Sequence, residues 1–233
     1  TPMPRGTIAV AGMCLLALAG QAHAAVREYQ LDPVHTRIAF QVDHAGFSRA
    51  IGTFSGATGT LVFDPDDWTT ATLEASVPLA SLDLGDERWQ SRILDRTFLD
   101  AEAHPVARFV STRVEPTGEG TARMHGELNL RGTTREVTLD VRLNALKRHP
   151  LTFKRTAGFS ATGRLVRQDF GMTAWERLVG AEVTLQIEAE AIRGRADGGS
   201  QDEASDGPEA EDDDEATDAA PIQDRENDDA DPK

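Results

Sequence analysis

Residues 123–143 read RMHGELNLRGTTREVTLDVRL. Apolar residues and Gly126 occupy every second position from Met124 to Leu130, and apolar residues do so again from Val137 to Leu143. A period of two is typical of a half-buried β-strand, whose successive side chains point to opposite faces. The stretch therefore predicts a β-hairpin with one apolar face and one charged face.

The parity of the apolar positions limits the loop of this hairpin. They are even-numbered before the loop and odd-numbered after it, so both rows share one face only if the loop has an even number of residues. Two or four residues satisfy this condition, and Gly132 suits a tight turn. We expect Leu128 to lie opposite Val137 and Met124 opposite Val141.

The amino-terminal residues predict an export signal. Arg5 precedes an uncharged apolar run over residues 8–19, and Ala22-His23-Ala24 has the form that signal peptidase accepts. The run is shorter than the roughly 20 apolar residues of a membrane-spanning helix. We therefore interpret residues 1–24 as a signal peptide cleaved after Ala24 and expect a periplasmic protein. Cys14 lies within this run, so the mature chain has no cysteine for disulfide or thiol chemistry.

The carboxy-terminal residues 196–233 predict a disordered acidic tail. From Asp197 onward, 16 acidic residues stand against two basic ones, and Ile222 is the only large apolar residue. Such a composition cannot bury enough surface to offset chain entropy. Solubility, spacing, loose cation binding and docking to a basic partner all remain open for it. Residues 25–196 hold 21 basic and 23 acidic residues, so the low pI does not describe the folded surface, and we expect no nucleic-acid partner.

Between the two ends, residues 25–195 predict one antiparallel all-β domain. Strand patterns follow one another without alternating long helices. About eight strands with one apolar face each would close into an extended lipocalin-like barrel that can hold one small ligand. Two packed sheets would satisfy the same pattern.

One short helix interrupts the strands between Asp86 and Asp100. Trp89, Ile93 and Phe98 recur at helical spacing, and Asp86 is placed to cap the start. We expect this helix to plug an open end of the barrel, while packing on its outer face is the alternative.

Small residues among the large ones on the apolar face favour a cavity, because they leave volume that a ligand or the helix side chains must occupy. The predicted pore residues come from every strand with a clear alternation and from the helix. They are Ile38, Phe40, Val42, Leu73, Ala75, Val77, Leu79, Trp89, Ile93, Phe98, Met124, Gly126, Leu128, Val137, Leu139, Val141, Phe159, Ala161, Leu185 and Ile187.

Polar candidates fall into two groups. Asp32 and His35 invite a metal or acid–base interpretation, but no second His or Cys stands at ligand spacing. We expect them to hydrogen-bond each other or nearby backbone at the barrel rim, and we predict neither a metal site nor catalytic residues. The arginines could hold a polar head group, for which bidentate geometry suits them; these are Arg131, Arg135, Arg164 and Arg167. For Arg167 we expect a structural charge pair with Asp169 at the strand end, and the head-group role is the alternative.

Several short motifs in order resemble the YceI-like family of exported isoprenoid-lipid-binding proteins. The likeness covers residues 29–191 and includes Asp32-x-x-His35-Thr36, Gly52-Thr53-Phe54, Phe98-Leu99-Asp100, Phe109-x-Ser111-Thr112, Gly126-x-Leu128, Gly158-Phe159 and Arg167-x-Asp169-Phe170-Gly171. The resemblance implies a lipocalin-like barrel whose pore takes the polyprenyl chain of a polyprenyl diphosphate or an isoprenoid quinone. Asn129 and Thr36 depart from the family pattern, where Thr and Ser are usual, and the acidic tail is extra.

The sequence thus predicts a binding protein with no cofactor other than a bound isoprenoid lipid, not an enzyme. Transient contact with a membrane would accompany that role, and the oligomeric state stays open. Two alternatives remain: a lipid-acting enzyme using Asp32 and His35, and an interaction module working through the acidic tail.

Overall fold

A computed structural model of the chain describes residues 26–194. The predicted signal peptide and the predicted acidic tail lie outside the described residues. The described part contains one α-helix, α1 (Glu87–Leu94), and ten strands. The strands are β1 (Arg27–Leu31), β2 (Arg37–His44), β3 (Ser48–Phe54), β4 (Thr58–Phe63), β5 (Thr72–Pro78), β6 (Val106–Gly118), β7 (Thr121–Leu130), β8 (Thr133–Arg148), β9 (Arg155–Val166) and β10 (Val179–Arg193).

Eight of these strands form a closed antiparallel barrel. The order is β1-β4-β5-β6-β7-β8-β9-β10, and β10 pairs with β1 to close the circle. Closure places Tyr29 opposite Arg193 and Leu31 opposite Ala191. The predicted all-β, eight-stranded barrel is confirmed, and the alternative of two packed sheets is wrong.

Strands β2 and β3 extend the sheet beyond the barrel circle. The long strand β10 pairs with β1 near its end and with β2 over Val179 to Glu188. Strand β3 pairs with β2 and is tied on its other side by two backbone hydrogen bonds of 2.9 Å between Thr53 and Asp83. The carboxy-terminal end of β10 thus pairs with β1, whereas its amino-terminal part pairs with β2.

The hairpin of β7 and β8 turns more tightly than the expected register. Arg131 and Gly132 form a two-residue turn with φ of 53° and 70°, the combination that a type I′ hairpin turn requires. Met124 therefore lies opposite Leu139, and Leu128 opposite Arg135. The expected pairing of Leu128 with Val137 is wrong by two residues. Because two is an even shift, each side chain keeps its predicted face.

The helix is shorter than its apolar stripe indicated. A carboxylate oxygen of Asp86 accepts the backbone N–H of Trp89 at 2.8 Å, which is the predicted cap. The helix ends at Leu94, because the Asp95 carboxylate accepts both the N–H and the hydroxyl of Thr97 and starts a turn there. Within residues 26–194, no helix has the length and apolar character needed to cross a bilayer.

Candidate functional site

The barrel encloses a cavity whose wall is hydrophobic. The space open to the centres of water molecules is about 230 Å³, far more than one water needs. Of its 29 lining residues, Thr36 alone lacks a hydrophobic side chain. Trp68 and Phe159 meet the buried ring of Phe63 edge-on, at centroid distances of 5.1 and 5.5 Å. This space, called the first cavity below, can accept an apolar molecule and offers it almost no hydrogen-bonding partner.

Most of the predicted pore residues lie on this wall. Those that line the first cavity are Ile38, Leu73, Ala75, Val77, Leu79, Met124, Leu128, Val137, Leu139, Val141, Phe159, Ala161, Leu185 and Ile187. They come from six strands and the turn after β5, so the period-two pattern predicted which side of each strand faces the interior.

Five predicted pore residues line a separate, smaller cavity instead. Phe40, Val42, Trp89, Ile93 and Phe98 surround a space of about 110 Å³ at the helix end of the barrel. We call this space the second cavity. These five predicted pore residues thus lie around a different space from the residues that line the first cavity. Side chains from α1 and the segment after it line this space, so the helix plugs that end as expected.

An aromatic pair lies where the two cavities approach each other. Phe54 lines the first cavity and Phe40 the second, and their ring centroids are 5.6 Å apart. The Phe40 ring fits there because Gly52 faces it: a Cβ on Gly52 would lie 2.4 Å from the tip of the ring. The apolar row of β2 is thus divided between two spaces.

Gly126 lines neither cavity, contrary to the prediction. A Cβ at Gly126 would lie 2.3 Å from the Phe109 ring, so Phe109 covers this glycine and itself lines the first cavity. Ala75 and Ala161 do face open space. A small residue on the apolar face can therefore border open space, as Ala75 does, or lie under a large ring, as Gly126 does. The sequence pattern does not distinguish these two cases.

Several lining residues were not predicted. Phe109 and Ala107 alternate on β6 and could have been found by the same period-two argument. Trp68 lies in a 3₁₀ turn after the acidic loop 64–67, where no periodic signal exists. Thr36 is buried at the junction of β1 and β2 and is the one polar wall residue.

The second cavity differs from the first by a buried positive charge. Arg167 is 3% exposed and lines this space. Its Nε donates to the carbonyl of Gly180 at 2.8 Å, its Nη2 to that of Val179 at 2.9 Å, and its Nη1 to that of Met172. Burial lowers the pKa of the Arg167 guanidinium, yet an arginine stays protonated in proteins. Asp43 and His44 also line this cavity.

The expected charge pair between Arg167 and Asp169 is wrong. Among residues 26–194, no carboxylate lies within 4.0 Å of the Arg167 guanidinium, and Asp169 is exposed. Backbone carbonyls satisfy the guanidinium instead, because the loop from Met172 to Gly180 wraps around it.

The other three candidate head-group arginines line neither cavity. Arg131 donates to the carbonyl of Arg96 at 2.9 Å, so it ties the turn of the β7–β8 hairpin to the segment after α1. Arg135 donates to the carbonyl of Thr134 at 3.0 Å, and Arg164 lies 3.3 Å from Glu182 on the outer surface. Of the four arginines, only Arg167 lines a cavity.

Asp32 and His35 hydrogen-bond as expected. One carboxylate oxygen of Asp32 lies 2.7 Å from Nδ1 of His35, and the other accepts the backbone N–H of Val34 at 2.8 Å. Burial alone would raise the pKa of the Asp32 carboxyl, but the hydrogen bonds from His35 and the backbone outweigh it and lower that pKa. The bond to Asp32 raises the pKa of His35. Glu190 has a carboxylate oxygen within 4.8 Å of both side chains.

This cluster positions the strand junction. Thr36 donates its backbone N–H to the Asp32 carbonyl at 3.0 Å, and Asp32 donates its own N–H to the Glu190 carbonyl at 2.8 Å. The turn from Asp32 to Thr36 therefore carries the chain from β1 to β2 along the same side of β10 and turns Thr36 into the first cavity.

Comparison with known proteins places this geometry in a family. Residues 29–191 match the model of the YceI-like domain. A UPF0312 protein of Serratia proteamaculans is 35% identical over 187 residues, which cover 79% of this chain and 95% of that protein.

Two solved structures share the fold. BcnA of Burkholderia cenocepacia superposes with a TM-score of 0.62 at 22% identity, covering 69% of this chain and 98% of that one. A polyisoprenoid binding domain from Saccharophagus degradans superposes with a TM-score of 0.52 at 14% identity, covering 71% of this chain and 98% of that one. Since the matched domain spans the barrel, the chain belongs to the YceI-like family.

Proposed function

We propose that this protein binds an isoprenoid lipid by enclosing its hydrocarbon chain in the first cavity, and that it carries or sequesters that lipid in the periplasm. The observation that carries the proposal is the hydrophobic wall: 28 of 29 lining residues have hydrophobic side chains. A polar ligand would lose its water here without gaining partners, which costs several kcal/mol per polar group. A hydrocarbon chain gains about 0.8 kcal/mol for each buried CH₂-sized group.

A related fold supports the isoprenoid class of ligand. The domain from Saccharophagus degradans is described as polyisoprenoid binding, and this chain shares its architecture. Branched isoprene units match a wall built from Leu, Val, Ile and Ala, whose sizes vary from position to position. The lipid would be the only bound group.

Binding without catalysis is part of the proposal. The Asp32–His35 pair holds the β1–β2 junction through backbone hydrogen bonds. Neither side chain of the pair lines the first cavity, whereas Thr36, which follows His35 in the same turn, does. A His35→Gln variant should therefore retain its lipid. Retention together with loss of turnover of a test lipid would instead support the enzyme alternative.

Mass spectrometry of extracted protein tests the proposal. Protein expressed with residues 1–24 in a bacterium should be recovered from the periplasm with Ala25 as its first residue, and organic extracts should contain a prenyl lipid. Extracts that repeatedly hold only ordinary phospholipid would contradict the isoprenoid assignment, and an uncleaved intracellular product would contradict the location.

Removing residues 197–233 should leave the lipid content unchanged. A protein that copurifies only with the full chain would support the interaction-module alternative.

A further inference from the structure

The turn between β8 and β9 concentrates positive charge. Residues 147–155 read KRHPLTFKR, with four Lys or Arg and no acidic residue. All four of these cations are exposed, and within residues 26–194 no carboxylate lies within 4.0 Å of any of them. Because residues 25–196 together hold more acidic than basic residues, this segment stands out against its surroundings.

The tip of the same turn presents large apolar side chains to solvent. Leu151 is 82% exposed and Phe153 is 69% exposed. Phe153 has a φ of 55°, a left-handed conformation that is uncommon for a bulky residue. His149 orders the tip, since its Nδ1 accepts the backbone N–H groups of Leu151 and Thr152, each at 3.3 Å. The apolar side chains are therefore held outward on an ordered turn.

The hairpin also projects beyond the neighbouring strand. The last paired residue of β8 on the β7 side is Arg142, opposite Thr121, whereas β8 continues to Arg148. There Arg148 lies directly opposite Arg155. Like charges on facing strand positions destabilise a sheet, so this arrangement costs stability in the isolated protein. A negatively charged surface would remove that repulsion.

We propose that the β8–β9 turn, residues 147–155, docks the protein on an anionic lipid bilayer. Leu151 and Phe153 enter the boundary between head groups and acyl chains, and the four cations contact lipid phosphates. Each Lys or Arg near an anionic bilayer contributes about 1 kcal/mol, which is roughly a fivefold gain in affinity. The exposed apolar tip favours a bilayer over a soluble acidic protein, because only a bilayer offers hydrocarbon behind the phosphates. This inference does not depend on which molecule fills the cavities.

Cosedimentation of the full chain with vesicles tests the docking. At low salt, the protein should bind vesicles of equimolar phosphatidylcholine and phosphatidylglycerol and not vesicles of phosphatidylcholine alone. Changing the four cations together to Gln should weaken binding by more than about 100-fold. The pair Leu151→Ser and Phe153→Ser should weaken it by at least about tenfold, since both large apolar side chains would be lost from the hydrocarbon boundary.

Matched controls come from elsewhere on the barrel. Phe47 is 92% exposed at the β2–β3 turn, beside the start of β10 and so at the opposite end from β8–β9; Phe47→Ser should bind like the wild type. The double change Arg49→Gln and Arg142→Gln removes two exposed charges outside the turn. The loss of affinity for each charge removed should be smaller in this variant than in the four-cation variant.

Three results would overturn the proposal. They are no binding of the wild type to the mixed vesicles, unchanged binding when Leu151 and Phe153 become Ser, and loss of binding in Phe47→Ser. The second result would indicate a soluble polyanion as the partner. Circular dichroism and lipid extraction on the same variants check that the barrel stays folded and loaded, so failure of docking is distinguishable from failure of the proposed lipid binding.

Discussion

The two cavities share the apolar row of β2, yet their walls differ in chemistry. The first has 28 hydrophobic side chains around about 230 Å³. The second has about 110 Å³ and includes a buried guanidinium, an aspartate and a histidine. A hydrophobic wall discriminates ligands by size and shape, because burial energy follows apolar area. A buried charge discriminates by chemical group, because an unpaired polar group in such a place is costly.

The difference indicates that the two cavities have different functions. The first cavity would hold a chain, whereas the second presents a cation already bound to three backbone carbonyls. The same arginine must therefore stabilise the loop from Met172 to Gly180, whatever it does for a ligand. Replacing Arg167 should therefore lower the stability of the fold, whether or not it also weakens ligand binding.

Arg167→Met should destabilise the protein more than any other change considered below. The change leaves the carbonyls of Gly180, Met172 and Val179 without their donors, and an unsatisfied buried group costs about 1–3 kcal/mol. We expect the free energy of unfolding to fall by about 3 kcal/mol, measured by urea denaturation. The control, Arg164→Met, removes an exposed ion pair with Glu182 and should change stability by no more than about 0.5 kcal/mol. Equal effects of the two changes would remove the distinction between a structural arginine and a surface one.

The next effect concerns the first cavity alone. Ala161→Trp places a large ring on its wall, so lipid content should fall by about tenfold, equivalent to about 1.4 kcal/mol. Quantitative extraction of purified protein measures this. Thr162 follows on the same strand but is exposed, and Thr162→Trp should retain its lipid. If both variants stay folded and loaded, the first cavity is not where the lipid binds.

A smaller effect should follow from removing the aromatic pair between the cavities. Phe40→Ala deletes the ring that packs on Phe54 at 5.6 Å, and we expect the two spaces to join in this variant. Extracted lipids should shift toward longer chains by a few-fold, a free-energy change of about 1 kcal/mol. Phe47→Ala, on the exposed turn, serves as the control. An unchanged length distribution would show that the second cavity does not receive the chain.

The smallest effect is the pH dependence of the Asp32–His35 pair. The raised pKa of His35 stabilises the fold below its unfolded pKa, and this contribution is lost as the pH rises through the folded value. The lowered pKa of Asp32 stabilises the fold above its unfolded pKa, and this contribution is lost as the pH falls through the folded value. The pair therefore contributes fully between about pH 4 and pH 6.5.

An NMR titration checks this pair. In Asp32→Asn, the pKa of His35 should fall toward its ordinary value of about 6.5. An unchanged His35 would show that the hydrogen bond does not persist in solution.

Sequence reasoning found the faces but not the partition of the interior. Alternation on β8 identified Val137, Leu139 and Val141 as wall residues, because strand geometry sets the direction of a side chain locally. The division of β2 at Phe40 depends on Gly52 in another strand, and no local pattern contains that information. Trp68 lies in an irregular turn and has no periodicity to reveal it.

Arginine roles were equally hard to predict, for a different reason. A guanidinium has five donors and accepts many partners, so the sequence could not tell Arg167, which binds three carbonyls, from Arg164, which lies beside Glu182. The predicted hairpin register was wrong because the two allowed turn lengths, two and four residues, keep the same side chains on each face. The two-residue turn requires a positive φ at Arg131, and residues other than Gly rarely adopt a positive φ.

Photocrosslinking reports where a prenyl chain lies in the folded protein, so it tests whether the first cavity holds the lipid. The loaded protein would carry a geranylgeranyl probe with a diazirine on its chain, and peptide mass spectrometry would map the attached residues. We predict attachment to inward residues of the first cavity, such as Leu139, Val141 and Phe159. Attachment confined to their outward neighbours, such as Asp140 and Ser160, would contradict it.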